Sequence, residues 1–383
     1  MATTRITFPD KRITIAGALA LDPAPGGGTI PHRLPAWTRT QAADPYLDLV
    51  APRPAGVRLL LRTNASRLSL DVRVTRFRNT HFPLFPVVFD LVIDGDRMLS
   101  RLATDGDLCV VDAGAVVQRT EGQAETITFD GLGTGWKHVE LWLPQAAIVV
   151  LRALHADGAV EPGTAPADRW IHYGSSISHC AEADGPARTW PALVARRAGL
   201  DLLCLAFAGN CQLDPFVART IRDTPATAIS LKVAVNVLNT ASMTTRTFGP
   251  ALHGFLDTVR EGHPDTPVVV ASPIVFPSAE DRTGPSPQRA DGRYEAIGQA
   301  VDRSDRTALT MRRMREIVAD VVAVRAGDDR RLRYLDGLTL LGPGDAGALY
   351  DGLHPDAAGY ARIAERFHTA AFGPDGLLAV RPP

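Results

Sequence analysis

The stretch WIHYGSSIS occupies residues 170–178 and joins a short apolar, β-prone segment to a Gly-Ser-Ser turn. After a polar loop, a segment with helical character runs from Trp190 to Ala198. This order predicts a buried strand with Ser176 just beyond its end. Open α/β sheets bind ligands at the carboxyl ends of their strands, so Ser176 is a candidate functional residue. An ordinary helix cap or turn serine is the alternative, and other residues must decide between the two.

Beyond Asp168, short apolar runs alternate with helical segments. The predicted strands are Trp170–Tyr173, Leu202–Phe207, Ala228–Val235 and Val268–Ile274. The predicted helices are Trp190–Ala198, Asp214–Ile221, Gly249–Glu261, Thr307–Val324 and Asp356–Phe367. Apolar strands that alternate with helices indicate a parallel sheet covered on both faces, so we expect a three-layer α/β/α domain over residues 168–383.

The preceding part of the chain has the pattern of an all-β domain. Residues 68–75 alternate apolar and polar side chains without a break, as in a half-buried strand. The pattern recurs at Val57–Arg62, Phe89–Ile93, Glu125–Phe129 and Val139–Leu143. Turn signals such as Asp94-Gly95-Asp96 separate these runs. We therefore predict a β-sandwich or jelly roll over residues 1–155, followed by a Gly- and Pro-rich linker at 156–168.

One apolar loop interrupts this pattern. In the segment His81–Pro86, aromatic residues alternate with prolines that are incompatible with a central strand. Packing against the second domain is the favoured interpretation, and lining of a substrate pocket is the alternative.

Composition narrows the classes of partner. The 383 residues are 45% hydrophobic and 22% charged, enough for a substantial core, and the formal net charge is −1. Such a balance argues against nucleic acid and anionic membranes as partners. The four cysteines contain no Cys-x-x-Cys pair, which argues against a zinc site and a dense disulfide framework. Because the N-terminus lacks an apolar signal core, we expect a soluble, cytoplasmic protein.

A second polar stretch, Asp351-Gly352-Leu353-His354, precedes the last predicted helix. A serine hydroxyl is a weak nucleophile at neutral pH and needs an adjacent base, which in turn needs a partner that fixes its tautomer. His354 could be that base and Asp351 that partner. Taken singly, each could also be an ordinary loop residue, since the chain has 10 histidines.

Two further positions follow predicted strands. Gly209 comes after the second strand and Asn236 after the third. Together with the Ser176 amide, the Gly209 amide and the Asn236 side chain could stabilise an oxyanion. The alternatives are a turn glycine and a loop-capping asparagine.

This ordered set resembles the SGNH hydrolases, also called the GDSL esterase and lipase family. Gly174-Ser175-Ser176-Ile177 looks like their first block, Gly209 and Asn236 like the glycine and asparagine of the second and third, and residues 351–354 like the Asp-x-x-His block. The resemblance implies a flavodoxin-like fold and ester hydrolysis that needs no metal or other cofactor. It assigns Ser176 as nucleophile, His354 as base and Asp351 as its orienting carboxylate. The implied oxyanion donors are Ser176, Gly209 and Asn236.

The resemblance covers about residues 168–367, and the β-rich first domain is similar to jelly-roll modules that precede some bacterial members. Two positions depart from the family pattern. Ser175 replaces the customary aspartate, and Ala234-Val235-Asn236-Val237 replaces Gly-x-Asn-Asp, so that Asn239 or Asn210 could compete for the oxyanion role.

The substrate is expected to be a small-molecule or carbohydrate ester with a short acyl group, acetyl in the simplest case, and oligomeric state stays open. An acyltransferase that uses the same residues is one alternative. A carbohydrate-binding protein without catalysis is another. A metal-dependent hydrolase is disfavoured because no His-x-His or carboxylate cluster is present.

Overall fold

The computed structural model describes residues 4–41, 44–80, 84–112 and 114–378. The chain divides into two compact units. The first contains the chain up to Ala167 together with Ala183–Ala192 and Asp201–Cys204, and the second contains the remainder. Of the apolar loop His81–Pro86, the part His81-Phe82-Pro83 lies outside the described residues, so the role predicted for this loop stays a prediction.

The first unit is built almost entirely from strands. They are β1 Thr4–Thr7, β2 Thr14–Ala16, β3 Ala20–Pro23, β4 Thr29–His32, β5 Arg58–Thr63, β6 Arg67–Asn79, β7 Val87–Ile93, β8 Arg97–Ala103, β9 Asp107–Asp112, β10 Ala115–Thr120, β11 Glu125–Asp130, β12 Lys137–Trp142, β13 Ala147–Ala156 and β14 Val160–Pro162. A short helix, α1 Pro45–Val50, begins where the Asp44 carboxylate accepts from the Tyr46 amide. The sequence pattern did not predict this helix, because its prolines resemble loop punctuation.

Two sheets enclose one apolar core in this unit. The first sheet has the order β10-β9-β6-β13-β4-β3, with β1 beside β13 and β11 beside β6. The second has the order β14-β5-β12-β7-β8, with β2 beside β5. Leu70 and Leu151 from the first sheet and Leu59 and Leu91 from the second belong to the same buried cluster. The predicted all-β region is therefore confirmed, although β14 lies inside the segment that was predicted to be a linker.

The α/β part of the chain contains a five-stranded sheet. Its strands are β15 Arg169–Gly174, β16 Asp201–Ala206, β17 Ala228–Lys232, β18 Val268–Ala271 and β19 Leu332–Leu335, in the order β16-β15-β17-β18-β19. The strands β15, β17, β18 and β19 pair in parallel. Counted from β15, the order is 2-1-3-4-5, as in flavodoxin-like folds, and it reverses beside β15. The predicted parallel α/β domain is confirmed; β19 was missed because its Leu-Arg-Tyr-Leu sequence is not a continuous apolar run.

Helices accompany this sheet. They are α2 Ser176–His179, α3 Trp190–Ala198, α4 Pro215–Arg222, α5 Val235–Thr240, α6 Thr245–Gly262, α7 Met311–Arg325, α8 Gly337–Leu340 and α9 Ala357–Phe372. Side chains of Thr310, Asp336 and Asp356 cap the amino ends of the last three. Helix α6 packs against α4 and α7, and α8 packs against α9. Within the described ranges, no helix combines the length and apolar character needed to cross a bilayer.

The sandwich core provides a test of the first unit. Leu91 on β7 is completely buried in the core cluster, whereas Leu102 on the neighbouring strand β8 is 57% exposed. Leu91→Ala should lower the free energy of unfolding by about 2–5 kcal/mol, because it removes buried methyl groups and leaves a cavity. The matched change Leu102→Ala should alter it by no more than about 0.5 kcal/mol. Denaturant unfolding followed by circular dichroism measures both, and equal losses would contradict the assignment of the core.

Candidate active site

The first part of the site is the turn between β15 and α2. Strand β15 ends at Gly174, where a Cβ would collide with the Ser178 hydroxyl, so only glycine fits. Ser175 then caps α2, since its Oγ accepts from the Ile177 amide at 3.3 Å. Ser176 is the first residue of α2 and is half-buried. The Ser176 hydroxyl is therefore held at the carboxyl end of β15, beside the reversal in strand order.

The second part is the loop before α9. One carboxylate oxygen of Asp351 accepts from the backbone amides of Leu353 and His354, at 2.9 and 2.7 Å. The other oxygen accepts from His354 Nδ1 at 2.7 Å. Gly352 takes a positive φ of 85°, which suits a residue without a side chain. These bonds fix both the carboxylate and the imidazole.

The two parts meet at one hydrogen bond. His354 Nε2 lies 2.8 Å from Ser176 Oγ, although the residues are 178 positions apart. A carboxylate can only accept, so Nδ1 of the neutral imidazole donates to Asp351 and Nε2 is left as an acceptor. The Ser176 hydroxyl therefore donates to His354. The structure brings Ser176, His354 and Asp351 into one continuous hydrogen-bonded chain.

Burial and neighbouring charges have opposite effects on the pKa values of Asp351 and His354. Burial of Asp351 raises the pKa of its carboxyl, but the bonds from His354 and the Leu353 amide outweigh burial and hold that pKa below its ordinary value. Burial of His354 lowers the pKa of its imidazole, but the charges of Glu182 and Asp351 outweigh it and raise that pKa above 6.5. The imidazole is thus a stronger base than an isolated histidine.

Glu182 is a residue that the sequence analysis missed. Its carboxylate accepts from the Tyr360 hydroxyl at 2.8 Å and from the Tyr350 hydroxyl at 3.4 Å. The ring of Tyr350 lies 6.5 Å from the imidazole of His354, and the ring of Tyr294 meets the same imidazole edge-on at 5.2 Å. Glu182 lies in a polar loop and belongs to no recognisable motif, so no local signal could have found it.

A second histidine close to this turn has a different environment. His172 on β15 is completely buried, and its ring nitrogens lie 2.7 Å from Ser230 Oγ and 2.8 Å from Ser178 Oγ. Burial, together with the charge of Lys232, lowers the pKa of His172 to about 3. This imidazole is therefore neutral and ties α2 to the sheet, whereas His354 contacts Ser176.

The predicted oxyanion donors follow the strands on either side of β15. Gly209 follows β16 with a φ of 74°, and Asn236 is the second residue of α5, after β17. The Asn236 side-chain oxygen accepts from the Cys211 amide at 3.0 Å, while its amide nitrogen bonds to no residue in the described part of the chain. Neither Gly209 nor Asn236 hydrogen-bonds to Ser176. Their role as oxyanion donors stays a prediction.

The competing asparagines have local partners. Asn210 donates its side-chain amide to the Ala208 carbonyl at 3.2 Å, and the side-chain oxygen of Asn239 accepts from Ser286 at 2.6 Å. Within the part of the chain that the structure describes, only Asn210 therefore uses its amide nitrogen locally, whereas Asn239, like Asn236, is bonded through its oxygen. Among the described residues, no group of three or more His, Cys, Asp and Glu side chains could hold a metal ion.

Residues 168–370 match the model of the GDSL-like lipase/acylhydrolase family. No curated protein matches the chain. Among solved structures, the chain is similar to a salicylyl-acyltransferase from a tetracycline biosynthetic pathway, with a TM-score of 0.78 and 29% identity over 95% of each chain.

Two more distant structures share the fold. A putative GDSL-like lipase from Bacteroides ovatus ATCC 8483 has a TM-score of 0.67 and 20% identity, with 96% of each chain covered. A family two carbohydrate esterase from Cellvibrio japonicus has a TM-score of 0.57 and 14% identity, with coverage of 95% of this chain and 96% of that one. Both matches include the β-rich first part as well as the α/β domain.

The electrostatics of His354 can be tested by NMR titration. We expect the pKa of His354 to lie above 6.5, and Glu182→Gln should lower it because a neighbouring negative charge is lost. Glu365→Gln, a change of an exposed residue on α9, is the matched control and should leave the titration of His354 unchanged. If the pKa of His354 does not fall in Glu182→Gln, the charge of Glu182 does not act on the imidazole.

Proposed function

Because the chain belongs to the GDSL-like lipase/acylhydrolase family, we propose that it is a serine esterase that removes a short acyl group from an O-acyl ester. Acetyl is the simplest such group, and the proposed substrate is a carbohydrate or secondary-metabolite ester, with no nucleic acid or membrane involved. Ser176 is the proposed nucleophile, His354 the general base, and Asp351 the carboxylate that orients it. The observation that carries the proposal is the hydrogen-bonded chain from the Ser176 hydroxyl through His354 to Asp351.

The proposed reaction has two halves. His354 Nε2 takes the hydroxyl proton as Ser176 Oγ attacks the ester carbonyl, and the imidazolium then protonates the departing alcohol. Water, deprotonated by the same imidazole, attacks the acyl-enzyme; the bond to Ser176 Oγ breaks, the acid is released, and the imidazolium returns its proton to Ser176 Oγ. The base works only when neutral, and the raised pKa of His354 means that activity is lost as the pH falls through that pKa.

The tetrahedral intermediate needs donors for its oxyanion. We assign this role to the backbone amides of Ser176 and Gly209 and the side-chain amide of Asn236. Two observations support the assignment: the Asn236 amide nitrogen bonds to no residue that the structure describes, and all three residues follow neighbouring strands. Loss of one such donor typically lowers turnover by about 100- to 1,000-fold.

Acyl transfer to an alcohol or amine is the second candidate function. It is favoured by the similarity, at 29% identity, to a structure described as a salicylyl-acyltransferase. Transfer would use the same three side chains, and the difference would lie in whether water or an acceptor reaches the acyl-enzyme. A carbohydrate-binding protein without catalysis is the remaining alternative, and it would bind esters without turnover.

The nucleophile can be tested directly. Ser176→Ala should lower the hydrolysis of p-nitrophenyl acetate by at least about 1,000-fold, because the attacking oxygen is lost. Its thermal midpoint should stay close to that of the wild type, since the hydroxyl bonds only at the site. A fluorophosphonate should label the wild type and the control Ser304→Ala, a change in an exposed loop, but not Ser176→Ala. Full residual turnover in Ser176→Ala would rule out Ser176, and an unlabelled, inactive wild type would favour the binding protein.

Hydrolysis and transfer can be separated by their products. With an acetyl ester and a millimolar hydroxyl or amine acceptor, the esterase proposal predicts that free acetate greatly exceeds the acylated acceptor, because water is in large excess. Chromatography of both products measures the partition. A dominant transfer product would identify the protein as an acyltransferase.

A further inference from the structure

A polar cavity of about 420 Å³ adjoins the turn that carries Asp351 and His354. This volume is in the range of small-molecule sites, about 300–1,000 Å³. Its polar wall is formed mainly by one segment of the loop before α7. The lining residues that matter here are Arg289, Asp291, Arg293, Tyr294, Glu295 and Gly352.

The cavity is tied to the imidazole by direct contacts. Tyr294 lines the cavity and also packs its ring edge-on against His354 at 5.2 Å. The Tyr294 amide donates to the Asp351 carbonyl at 2.9 Å, which joins the loop segment to the turn. Because Gly352 has no side chain, the Arg293 guanidinium can approach this turn, with Nη2 3.3 Å from the place where a Cβ would be. Tyr294 and Gly352 therefore place the cavity next to the turn that carries Asp351 and His354.

In the proposed reaction, the departing alcohol lies next to His354. In the proposed reaction the imidazolium gives its proton to that alcohol, so the alcohol oxygen must lie within hydrogen-bond reach of His354 Nε2. Because Tyr294 contacts this imidazole and also lines the cavity, the part of the alcohol beyond that oxygen can extend toward the cavity.

The charged residues that line the cavity determine which alcohols can bind there. Two arginines and two acidic residues line the cavity, so that their formal charges cancel. Arg289 pairs with Glu295 at 3.6 Å, and the Asp291 carboxylate accepts from the Arg293 amide at 3.0 Å. The Arg293 guanidinium makes no hydrogen bond or ion pair with any residue in the described ranges, so its donors are available to a ligand. Covering these charged groups with an alkyl chain would cost free energy, because their hydration would not be replaced.

Hydroxyl groups can hydrogen-bond both to the arginines and to the carboxylates of the cavity wall. Each hydroxyl can accept from a guanidinium and donate to a carboxylate, whereas an anion can only accept. We infer that this cavity binds the alcohol portion of the ester, that this alcohol is a neutral, hydroxyl-rich sugar or polyol, and that Arg293 is a specificity-determining residue for it. The inference rests on the proposed esterase function and names the substrate class of that same site.

The test compares acetyl esters of three alcohols. Acetate release is measured from mono-O-acetylated methyl xylosides, hexyl acetate and p-nitrophenyl acetate, with the full chain. The wild type should prefer the xyloside esters to hexyl acetate in kcat/KM. Arg293→Ala should lower the ratio of kcat/KM for the xyloside esters to that for p-nitrophenyl acetate by about tenfold, which corresponds to about 1.4 kcal/mol of binding.

Two further variants sharpen the result. Arg293→Gln keeps N–H donors without the charge and should retain most of the ratio. Arg330→Ala removes an exposed arginine that does not line the cavity, and it should leave the ratio unchanged. A ratio unaffected by Arg293→Ala, a preference for hexyl acetate, or an equal loss in Arg293→Gln and Arg293→Ala would each overturn the inference, the last because it indicates an anionic group. A wild type that releases acetate from none of the esters would instead overturn the proposed function itself.

Discussion

The hydrogen bond between Ser176 and His354 depends on the carboxyl edge of the parallel sheet. Strand β15 lies where the strand order reverses, so the turn that follows it opens into a crevice. The loop before α9 reaches the same crevice from the far end of the sequence. Local bonds then fix each partner: Ser175 caps the nucleophile turn, and Asp351 accepts two backbone amides as well as the imidazole. Neither turn has to reorganise for the contact to form.

The electrostatic balance at His354 follows from that enclosed position. Burial alone would make the imidazole a weaker base, and two carboxylates reverse this effect. Asp351 acts through a direct bond, while Glu182 acts through its charge and is itself held by tyrosine hydroxyls. Because Glu182 comes from the chain just after α2, the nucleophile turn also carries a residue that tunes its base.

The two departures from the family pattern have different local consequences. Ser175, in place of aspartate, still supplies an oxygen that caps α2, so the turn is preserved. Ala234, in place of glycine, has a φ of 92°, a conformation that is costly for a residue with a Cβ. The strained residue lies two positions before Asn236, whose oxygen is bound to the Cys211 amide. The surrounding buried structure therefore holds Asn236 at some local cost.

The order of an all-β part and a parallel α/β part can be read from the sequence, because burial imposes a period on the side chains along each segment. The sequence also singled out Ser176 and His354, which stand in short motifs beside predicted elements. The tyrosine contacts of Glu182, the place of Arg293 in the cavity wall and the strand β19 are visible only in the folded structure. Those features arise from contacts between residues far apart in sequence, and such contacts leave no local pattern. A sequence pattern shows which side chains of a segment are buried, but it does not show which distant segments come into contact.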